Sequence, residues 1–534
     1  MNIKIFYAAA LLLTISATAQ SQPYTDNYDE NDYTKSCTSI IASKGATEDG
    51  SVITAHTCDS NYRTWVEIVT KKLFKPGETE PVFSGMLHNE EPWDLRNIHE
   101  KGRIPAISET FAYLNTAYPC MNEKQLAIGE TTISGKTELV NKNGLFFIEE
   151  LQRIALQRCS TARDAVILIG RMAEDYGYCD SGECLTIADK KEVWQLEIFG
   201  SGAGKPSSIW VAQKLPDGHV GISANIPRIS KVDFNDSDNF LYSRNIKEDV
   251  KRLGFWNGVG DFIFWKIVSG VKPFSVREFF VLSKLAPSLN LSYESEELPF
   301  SVKPDKKVSV REIIALYRET YDGTEWDQVK GLEVEVTRYD RAKGTEYKEK
   351  VRPISTFMTN DTRALLNQLS PGSAPRNRTI AVIQCSYSHI IRLRDWLPDE
   401  IGGVAYFAFD NPAQSPRIPI YSGVKSLPAS FSVCGQHRYR KDAAIWSFRE
   451  TNRIATINWD KTRKILEPQI AQFEEKMFQE ANLLEQNALK LINEGKRDQA
   501  IDQITLYTHN FASFAMQRWE ELKSELWSIF ARSL

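Results

Sequence analysis

Short apolar runs separated by turn residues fill much of the first half of the chain. Residues 37–42 and 51–55 are two such runs. They flank Asp49-Gly50, a dipeptide that favours a tight turn because it tolerates positive φ. Turn residues between the runs predict consecutive antiparallel hairpins. Four further runs follow in series, at residues 185–188, 193–199, 209–214 and 220–224.

Apolar residues at helical spacing predict two consecutive helices within residues 145–176 and another at 310–321. From about Trp459 the chain consists of long amphipathic stretches, which predict helices packed on the body or on each other. Residues 379–384 and 403–410 are apolar enough for buried strands. Helices mixed with antiparallel strands predict an α+β layered architecture.

The pattern also divides the chain into segments. Residues 1–19 combine a lysine, an apolar run too short to span a bilayer and a small-residue cleavage site, so we expect a signal peptide and a secreted or periplasmic protein. Residues 20–36 are polar and acidic, which suits a disordered tail or a pro-peptide. Residues 37–458 form the predicted main domain, with an insertion at 231–355 to which no chemistry is assigned. Residues 459–534 form a helical C-terminal segment.

Composition narrows the classes of protein. The chain has 534 residues, of which 42% are hydrophobic and 25% charged, as in ordinary globular proteins. A net charge of −4 gives no reason to expect a nucleic-acid partner. The seven histidines are scattered and the cysteine spacing matches no zinc ligand set, so no metal site and no cofactor are predicted. Cys179 and Cys184 are the best local pair for a disulfide.

Cys37 is the first candidate for chemistry, because it opens a predicted strand directly after the polar leader. If cleavage occurs before it, Cys37 gains a free α-amine with a pKa of roughly 7.7–8.0, which suits a general base. One residue would then supply both nucleophile and base. The alternative is that Cys37 is an ordinary buried strand cysteine.

Several short motifs along the chain form a recognisable set. They are Cys37-Thr38, Asp49-Gly50-Ser51, Asp59-Ser60, Ile128-Gly129-Glu130-Thr131-Thr132, Thr161-Ala162-Arg163, Tyr176-Gly177, Trp210-Val211-Ala212-Gln213, Ala224-Asn225 and the Pro-rich residues 411–423. This set resembles the C69 dipeptidases, the dipeptidase A type of the N-terminal-nucleophile hydrolases. Where that family often has an arginine three residues before the acidic motif, this chain has His56, whose role the resemblance leaves open.

The resemblance implies the four-layer αββα sandwich of N-terminal-nucleophile hydrolases and a set of site residues. Cys37 would attack the substrate carbonyl, Asp59 would orient its α-amine, and Asn225 would donate to the oxyanion. Glu130 would hold a substrate amine, although a surface ion pair would also explain it. Arg417 would bind a substrate carboxylate, although an arginine in a Pro-rich loop is commonly just a surface residue. Asn225 before a proline also suits a simple turn.

The reaction implied is hydrolysis of the amide bond of dipeptides or other short peptides. Two alternatives remain at this point. The same superfamily includes acylases that act on N-acyl amino acids, conjugated bile salts or penicillin-like amides. A secreted binding protein whose leader is never removed would also fit the chain. The oligomeric state is open, a homo-oligomer included.

Overall fold

The computed structural model describes residues 37–89 and 98–531. All of these belong to one compact unit, Thr34–Leu534. The predicted signal peptide and pro-peptide lie outside the described residues. Within the described part of the chain, no helix has the length and apolar content needed to cross a membrane.

The described residues contain nineteen strands, most of them in the first half and the centre of the chain. They are β1 Thr38–Ala42, β2 Val52–Asp59, β3 Glu67–Val69, β4 Thr79–Ser84, β5 His99–Pro105, β6 Tyr113–Asn115, β7 Met121–Asn122, β8 Ala127–Thr132, β9 Gly182–Ala188, β10 Val193–Gly200, β11 Ser208–Lys214, β12 Val220–Ser223, β13 Phe240–Tyr242, β14 Ser301–Val302, β15 Val334–Asp340, β16 Thr345–Val351, β17 Cys385–Leu393, β18 Val404–Phe409 and β19 Ile418–Tyr421.

Helices separate these strands and fill the end of the chain. They are α1 Ile148–Arg158, α2 Ala162–Tyr176, α3 Ile246–Arg252, α4 Phe264–Val268, α5 Val276–Leu285, α6 Val310–Leu316, α7 Asn360–Leu369, α8 Asp399–Gly402, α9 Ala444–Thr456, α10 Trp459–Asn493 and α11 Arg497–Phe530. The mixture of helices with antiparallel sheets confirms the α+β class.

Two large antiparallel sheets form the centre of the protein. One has seven strands in the order β14-β12-β1-β2-β17-β18-β19, and the other has eight in the order β13-β11-β10-β9-β8-β7-β6-β3. Strands β1 and β2 of the first sheet pack on β8 and β9 of the second. Ser39 Oγ donates to the Glu130 carbonyl oxygen at 3.1 Å and Thr54 Oγ1 donates to the Thr186 carbonyl oxygen at 3.1 Å, so polar bonds join the facing sheets.

Helices pack on both sheets. α2 packs on β9, β10 and β11 of the eight-stranded sheet, and Thr161 caps it by accepting from the Asp164 amide. On the seven-stranded sheet, α5 packs on β12, α6 on β17, α9 on β18 and α11 on β19. The two long C-terminal helices predicted from the sequence are confirmed, and α11 packs on both α9 and α10.

The β1–β2 hairpin forms as the sequence predicts. Gly50 has φ of +77° in the turn, a conformation that costs glycine little. In the register of the hairpin Thr38 pairs with Thr57 and Ser39 with His56. Because side chains opposite each other on paired strands share a face, Ser39 and His56 both point toward the eight-stranded sheet, and Thr38 and Thr57 point away from it.

Two strand predictions are wrong. β12 does not form a hairpin with β11. It crosses to the seven-stranded sheet and pairs with β1, with Ser223 opposite Ser39. The connecting loop is fixed there because the Ser43 amide donates to the His219 carbonyl oxygen. Residues 379–384 are irregular and come directly before β17, and Thr379 Oγ1 donates to the Ala381 carbonyl oxygen at 2.6 Å in place of a sheet partner.

Candidate active site

Cys37 lies immediately before β1 and is almost fully buried, with 1% of its surface exposed. Strand alternation places its side chain on the face of β1 that carries Ser39, toward the eight-stranded sheet. There the Cys37 thiol, a ring nitrogen of His56 and a carboxylate oxygen of Glu130 all lie within 4.8 Å of one another. The β1–β2 hairpin and β8, which are far apart in the chain, therefore meet at one point.

The Cys37 thiol is held in its neutral form. Burial raises its pKa well above the ordinary value, and a hydrogen bond with the Cys58 thiol and the negative charges of Glu130 and Asp59 act in the same direction. A thiol is a weak nucleophile compared with its thiolate. Activation of Cys37 therefore requires a base close to its sulfur.

Glu130 lies at the end of β8 and is fully buried beside Glu183 of β9. Burial raises the pKa of Glu130 to about 7, and the negative charge of Asp180 adds to this, while hydrogen bonds with Glu183 and Thr132 oppose it. The pKa of Glu183 is raised well above its usual range by burial and by Glu130. When both groups are ionised, each Oε2 is a buried acceptor without a donor among the described residues.

His56 occupies the position whose role the family resemblance leaves open. Its Nδ1 lies 2.6 Å from the Glu130 carbonyl oxygen and 3.3 Å from the Glu130 amide nitrogen. Because the carbonyl contact is the shorter and a carbonyl oxygen can only accept, we assign the proton to Nδ1, and Nε2 is then a buried acceptor with no partner in the described part of the chain. Burial lowers its pKa to about 4. At neutral pH the ring is therefore uncharged, and it cannot supply the positive charge that an arginine would.

Arg277 of α5 reaches the other side of β1. It donates to the Cys37 carbonyl oxygen at 2.7 Å and to Thr38 Oγ1 at 3.0 Å, and its second amino group donates to the Ala224 carbonyl oxygen at 2.9 Å and to Asn225 Oδ1 at 3.0 Å. Burial lowers its pKa to about 10, so it stays charged at neutral pH. One guanidinium thus joins the start of β1 to the end of β12.

Sequence reasoning missed Arg277, because it assigned no chemistry to residues 231–355. The only local signal is the start of α5, where Ser275 and Glu278 form a capping box that fixes the first helical turn. Arg277 lies 240 residues from Cys37 in the chain. The local sequence around Arg277 does not indicate which strand its side chain contacts.

Asn225 follows β12 in the left-handed region, with φ of 69°. A guanidinium only donates, so its bond to Oδ1 fixes the orientation of the amide. Nδ2 then donates to the Thr132 carbonyl oxygen at 2.6 Å. An amide nitrogen carries two hydrogens, which leaves the second one for another acceptor.

Asp59 ends β2 on the face that points away from the eight-stranded sheet. Its Oδ2 accepts from Thr57 Oγ1 at 2.6 Å and from Arg378 Nη2 at 2.8 Å, while Oδ1 has no donor among the described residues. Thr57 Oγ1 in turn accepts from the Thr38 amide at 2.9 Å. Asp59 is thereby connected to the first residue of β1.

Arg417 is placed differently from the other predicted residues. It is fully buried just before β19, where Nη1 donates to Ser388 Oγ at 3.0 Å and to the Tyr406 carbonyl oxygen at 3.2 Å. Its guanidinium lies 5.9 Å from the Tyr317 ring centroid. It therefore lies under the seven-stranded sheet, away from the cluster around Glu130, and binding of a substrate carboxylate stays a prediction.

The expected disulfide between Cys179 and Cys184 is not formed, and all eight cysteines are free. Cys179 Sγ contacts the Phe146 carbonyl oxygen and the Lys101 ammonium, both at 3.1 Å. Cys184 belongs to β9 and packs in a separate apolar cluster with Ile133 and Leu139. The two sulfurs thus have different surroundings despite their closeness in the chain.

Comparison with known proteins identifies the family. The model of "Peptidase family C69" matches residues 36–472, which is most of the chain. The chain belongs to peptidase family C69. It is therefore a hydrolase of peptide bonds. The family match begins one residue before Cys37 and ends within α10, so α11 lies beyond it.

Relatives within C69 are distant but cover most of the chain. A "Probable dipeptidase" of Latilactobacillus sakei is 25% identical over 430 residues, covering 76% of this chain and 78% of the relative. A "Probable dipeptidase B" of Lactococcus lactis subsp. lactis is 23% identical, covering 81% and 83%. A "Probable dipeptidase" of Salmonella dublin is 26% identical over 310 residues, covering 55% and 60%.

Proposed function

We propose that this C69 peptidase hydrolyses the amide bond of dipeptides, with Cys37 as an N-terminal nucleophile exposed by cleavage after Ser36. The observation that carries the proposal is the set of bonds made by Arg277. This side chain binds the carbonyl of Cys37 and the amide oxygen of Asn225 at once. It therefore holds the nucleophile and an oxyanion donor in one fixed geometry, as catalysis by positioning requires.

In the proposed reaction the Cys37 sulfur bonds to the substrate carbonyl carbon. The thiol proton passes to the free α-amine and then to the leaving amine, giving a thioester that water hydrolyses with release of the Cys37 thiol. The second N–H of the Asn225 amide, with a backbone N–H, stabilises the developing oxyanion. Asp59 holds the α-amine in position, for which its Oδ1 is available.

The carboxylates around Cys37 favour a dipeptide over an N-acyl substrate. Glu130 and Glu183 are buried side by side, which disfavours ionisation of both unless a cation enters. The α-ammonium of a dipeptide supplies that cation, whereas the neutral amide of an N-acyl amino acid leaves a buried carboxylate without a counter-charge. The same argument applies against conjugated bile salts. Glu130 is accordingly the proposed amine-binding residue, with Glu183 as its partner.

We propose further that the fold is the αββα sandwich of N-terminal-nucleophile hydrolases. Two facing sheets with helices packed on each support this, as does the location of Cys37 at the start of a central strand. We also propose export, for which the support is the signal-like pattern of residues 1–19. The protein would then stay inactive until residues 20–36 are removed.

The test combines mass and activity on one sample. We expect active purified protein to have Cys37 as its first residue by intact mass and N-terminal sequencing. It should release free amino acids from dipeptides and leave N-acetylated versions of the same dipeptides intact. Full activity in protein that begins at another residue would refute the proposal that Cys37 is the N-terminal nucleophile. Faster cleavage of the N-acyl compounds would support an acylase instead.

A further inference from the structure

The side chains of Cys37, His56 and Glu130 offer a sulfur, a nitrogen and an oxygen to one point. The three ligand atoms lie within 4.8 Å of one another, and all three residues are buried. Two of the atoms that could bind an ion lack partners among the described residues, namely His56 Nε2 and Glu130 Oε2. Buried polar atoms without partners are costly, so a ligand that satisfies them is stabilised.

The chemistry of these atoms selects the ion. Thiolate, imidazole and carboxylate are the ligands that Zn²⁺ takes in proteins, usually four in a tetrahedron. His56 Nδ1 donates to a backbone carbonyl, and this is the contact that fixes the ring of a zinc-binding histidine with Nε2 as the ligand.

We propose that Cys37, His56 and Glu130 bind Zn²⁺ and that the bound ion inhibits the peptidase. Binding replaces the thiol proton of Cys37 by a zinc–sulfur bond, with the proton released to water, and no group is oxidised or reduced. The sulfur lone pair that would attack the substrate is then engaged. Glu130 is engaged as well, so zinc and the substrate ammonium compete for it.

Removal of the leader would complete the coordination. The freed α-amine of Cys37 and its own sulfur form a five-membered chelate, which would make the amine the fourth ligand. This part rests on the proposed function, whereas the three side-chain ligands do not. Zinc affinity is accordingly expected to be at least tenfold higher in protein that begins at Cys37 than in protein with the leader attached.

The test measures binding first, on the whole protein after metal removal with a chelator. Titration calorimetry with zinc chloride should give one site, and His56→Gln should weaken it at least tenfold. The matched control is His389→Gln, since His389 is another buried histidine, with its ring 5.3 Å from that of His56 and outside the ligand group. Equal weakening by both variants, or no binding to the wild type, would overturn the site.

Two measurements on the wild-type protein identify the zinc ligands without any substitution, so misfolding of a variant cannot affect them. X-ray absorption of the zinc-loaded protein should show one sulfur neighbour at about 2.3 Å and the rest nitrogen or oxygen. Cobalt substituted for zinc should give a near-ultraviolet sulfur-to-cobalt absorption band. A metal shell without sulfur would overturn the proposal.

Activity then separates inhibition from the alternatives. Zinc should inhibit dipeptide hydrolysis competitively, and a chelator should restore full turnover. If the chelator abolishes turnover, the ion is a catalytic cofactor and the inhibitory role is wrong. If zinc binds as described but mature protein cleaves no dipeptide, the metal site stands and the proposed function fails.

Discussion

The two faces of the β1–β2 hairpin carry opposite kinds of polar chemistry. On the face toward the eight-stranded sheet, Glu130, Glu183 and His56 are buried with acceptor atoms that have no donor in the described structure. On the other face, Arg277 binds four acceptors and Asp59 is paired with Arg378. The same two strands thus separate two clusters. On one side the described carboxylates have no positively charged partner, and on the other most polar groups are hydrogen-bonded to an arginine.

This difference indicates a division of labour. Groups already bonded to the protein are suited to positioning, because their geometry is fixed before substrate arrives. Buried groups without partners are suited to binding something from outside, because a ligand removes their desolvation cost. The carboxylate face would therefore recognise a cation, and the arginine face would hold the reacting atoms in place.

Replacement of Cys37 should have the largest effect, because its side chain lies on the carboxylate face while its carbonyl is bound by Arg277 of the arginine face. We expect Cys37→Ser to accumulate with residues 20–36 attached and to show no activity on dipeptides, because a hydroxyl is a much poorer nucleophile than a thiolate at neutral pH. Intact mass and a product assay measure both results. Cys434→Ser, at a buried cysteine outside the cluster, should be processed and active.

The Cys37→Ser result also separates two routes of processing. An inactive variant with the leader correctly removed would mean that another protease trims the chain, with Cys37 acting only in hydrolysis. A trimmed variant with wild-type activity would show that Cys37 is a structural cysteine.

On the arginine face, Arg277→Lys should lower both turnover and stability. A lysine keeps the charge but cannot reach four acceptors at once. We expect kcat to fall by at least roughly 10²–10³, the loss typical of one oxyanion donor. The free energy of unfolding should fall by about 1–3 kcal/mol, since buried acceptors lose their partner. Denaturant titration and dipeptide kinetics test this, and an unchanged kcat in folded protein would remove Arg277 from the site.

Asn225 allows the catalytic and structural contributions to be separated. Asn225→Ala and Asn225→Gly should both lower kcat by roughly 10²–10³, because each removes the amide donor. Their stabilities should differ, since glycine adopts a φ of 69° freely and alanine pays about 1–2 kcal/mol for it. Near-normal turnover in either folded variant would exclude Asn225 as the oxyanion donor.

On the carboxylate face, Glu130→Gln should change substrate binding and its pH dependence. With a pKa of about 7, Glu130 becomes ionised as the pH rises through that value, so wild-type kcat/KM should rise there. At roughly 7.7–8.0 the substrate amine loses its proton, which lowers kcat/KM, while the Cys37 α-amine becomes the neutral base, which raises it, so only the rise near pH 7 reports on Glu130. The Glu130 carboxyl is also faced by other titratable groups, and these influence the rise of kcat/KM near pH 7. They are Glu183, Asp180, Cys37 and His56.

In Glu130→Gln the rise near pH 7 should disappear. We expect kcat/KM at pH 8 to fall about 10- to 150-fold, the equivalent of roughly 1.5–3 kcal/mol for a bond to a charged group. Most of the loss should lie in KM. An unaltered pH profile would mean that the carboxylate pair does not bind the amine.

How far the sequence predicts this site depends on the range of each interaction. The β1–β2 hairpin and the α1–α2 pair follow from local turn and periodicity signals, and the structure confirms them. The crossing of β12 to the other sheet and the contact of Arg277 with Cys37 are long-range events. They depend on which faces pack, and no local pattern encodes that.

The nearness of His56 to Glu130 shows the same limit at the carboxylate face. The chain contains no metal-binding spacing, because the three residues come from the start of β1, from β2 and from β8. Only the packing of one sheet on the other brings their ligand atoms together. A sequence-based search for spaced ligands could not find them.

The smallest effect is expected at Arg417, where sequence and structure point in different directions. The sequence predicts that it binds a substrate carboxylate, but its Nε and Nη2 are buried and have no partner in the described residues. A guanidinium so placed carries a desolvation cost that a methionine of similar length does not, and such replacements are often neutral or stabilising. We expect Arg417→Met to change the free energy of unfolding by less than about 1 kcal/mol and KM by less than about twofold. Dipeptides and their C-terminal amides should then be distinguished as well by the variant as by the wild type. If KM for dipeptides rises tenfold and the amides are unaffected, Arg417 does bind the carboxylate, and the substrate contacts both faces of the hairpin.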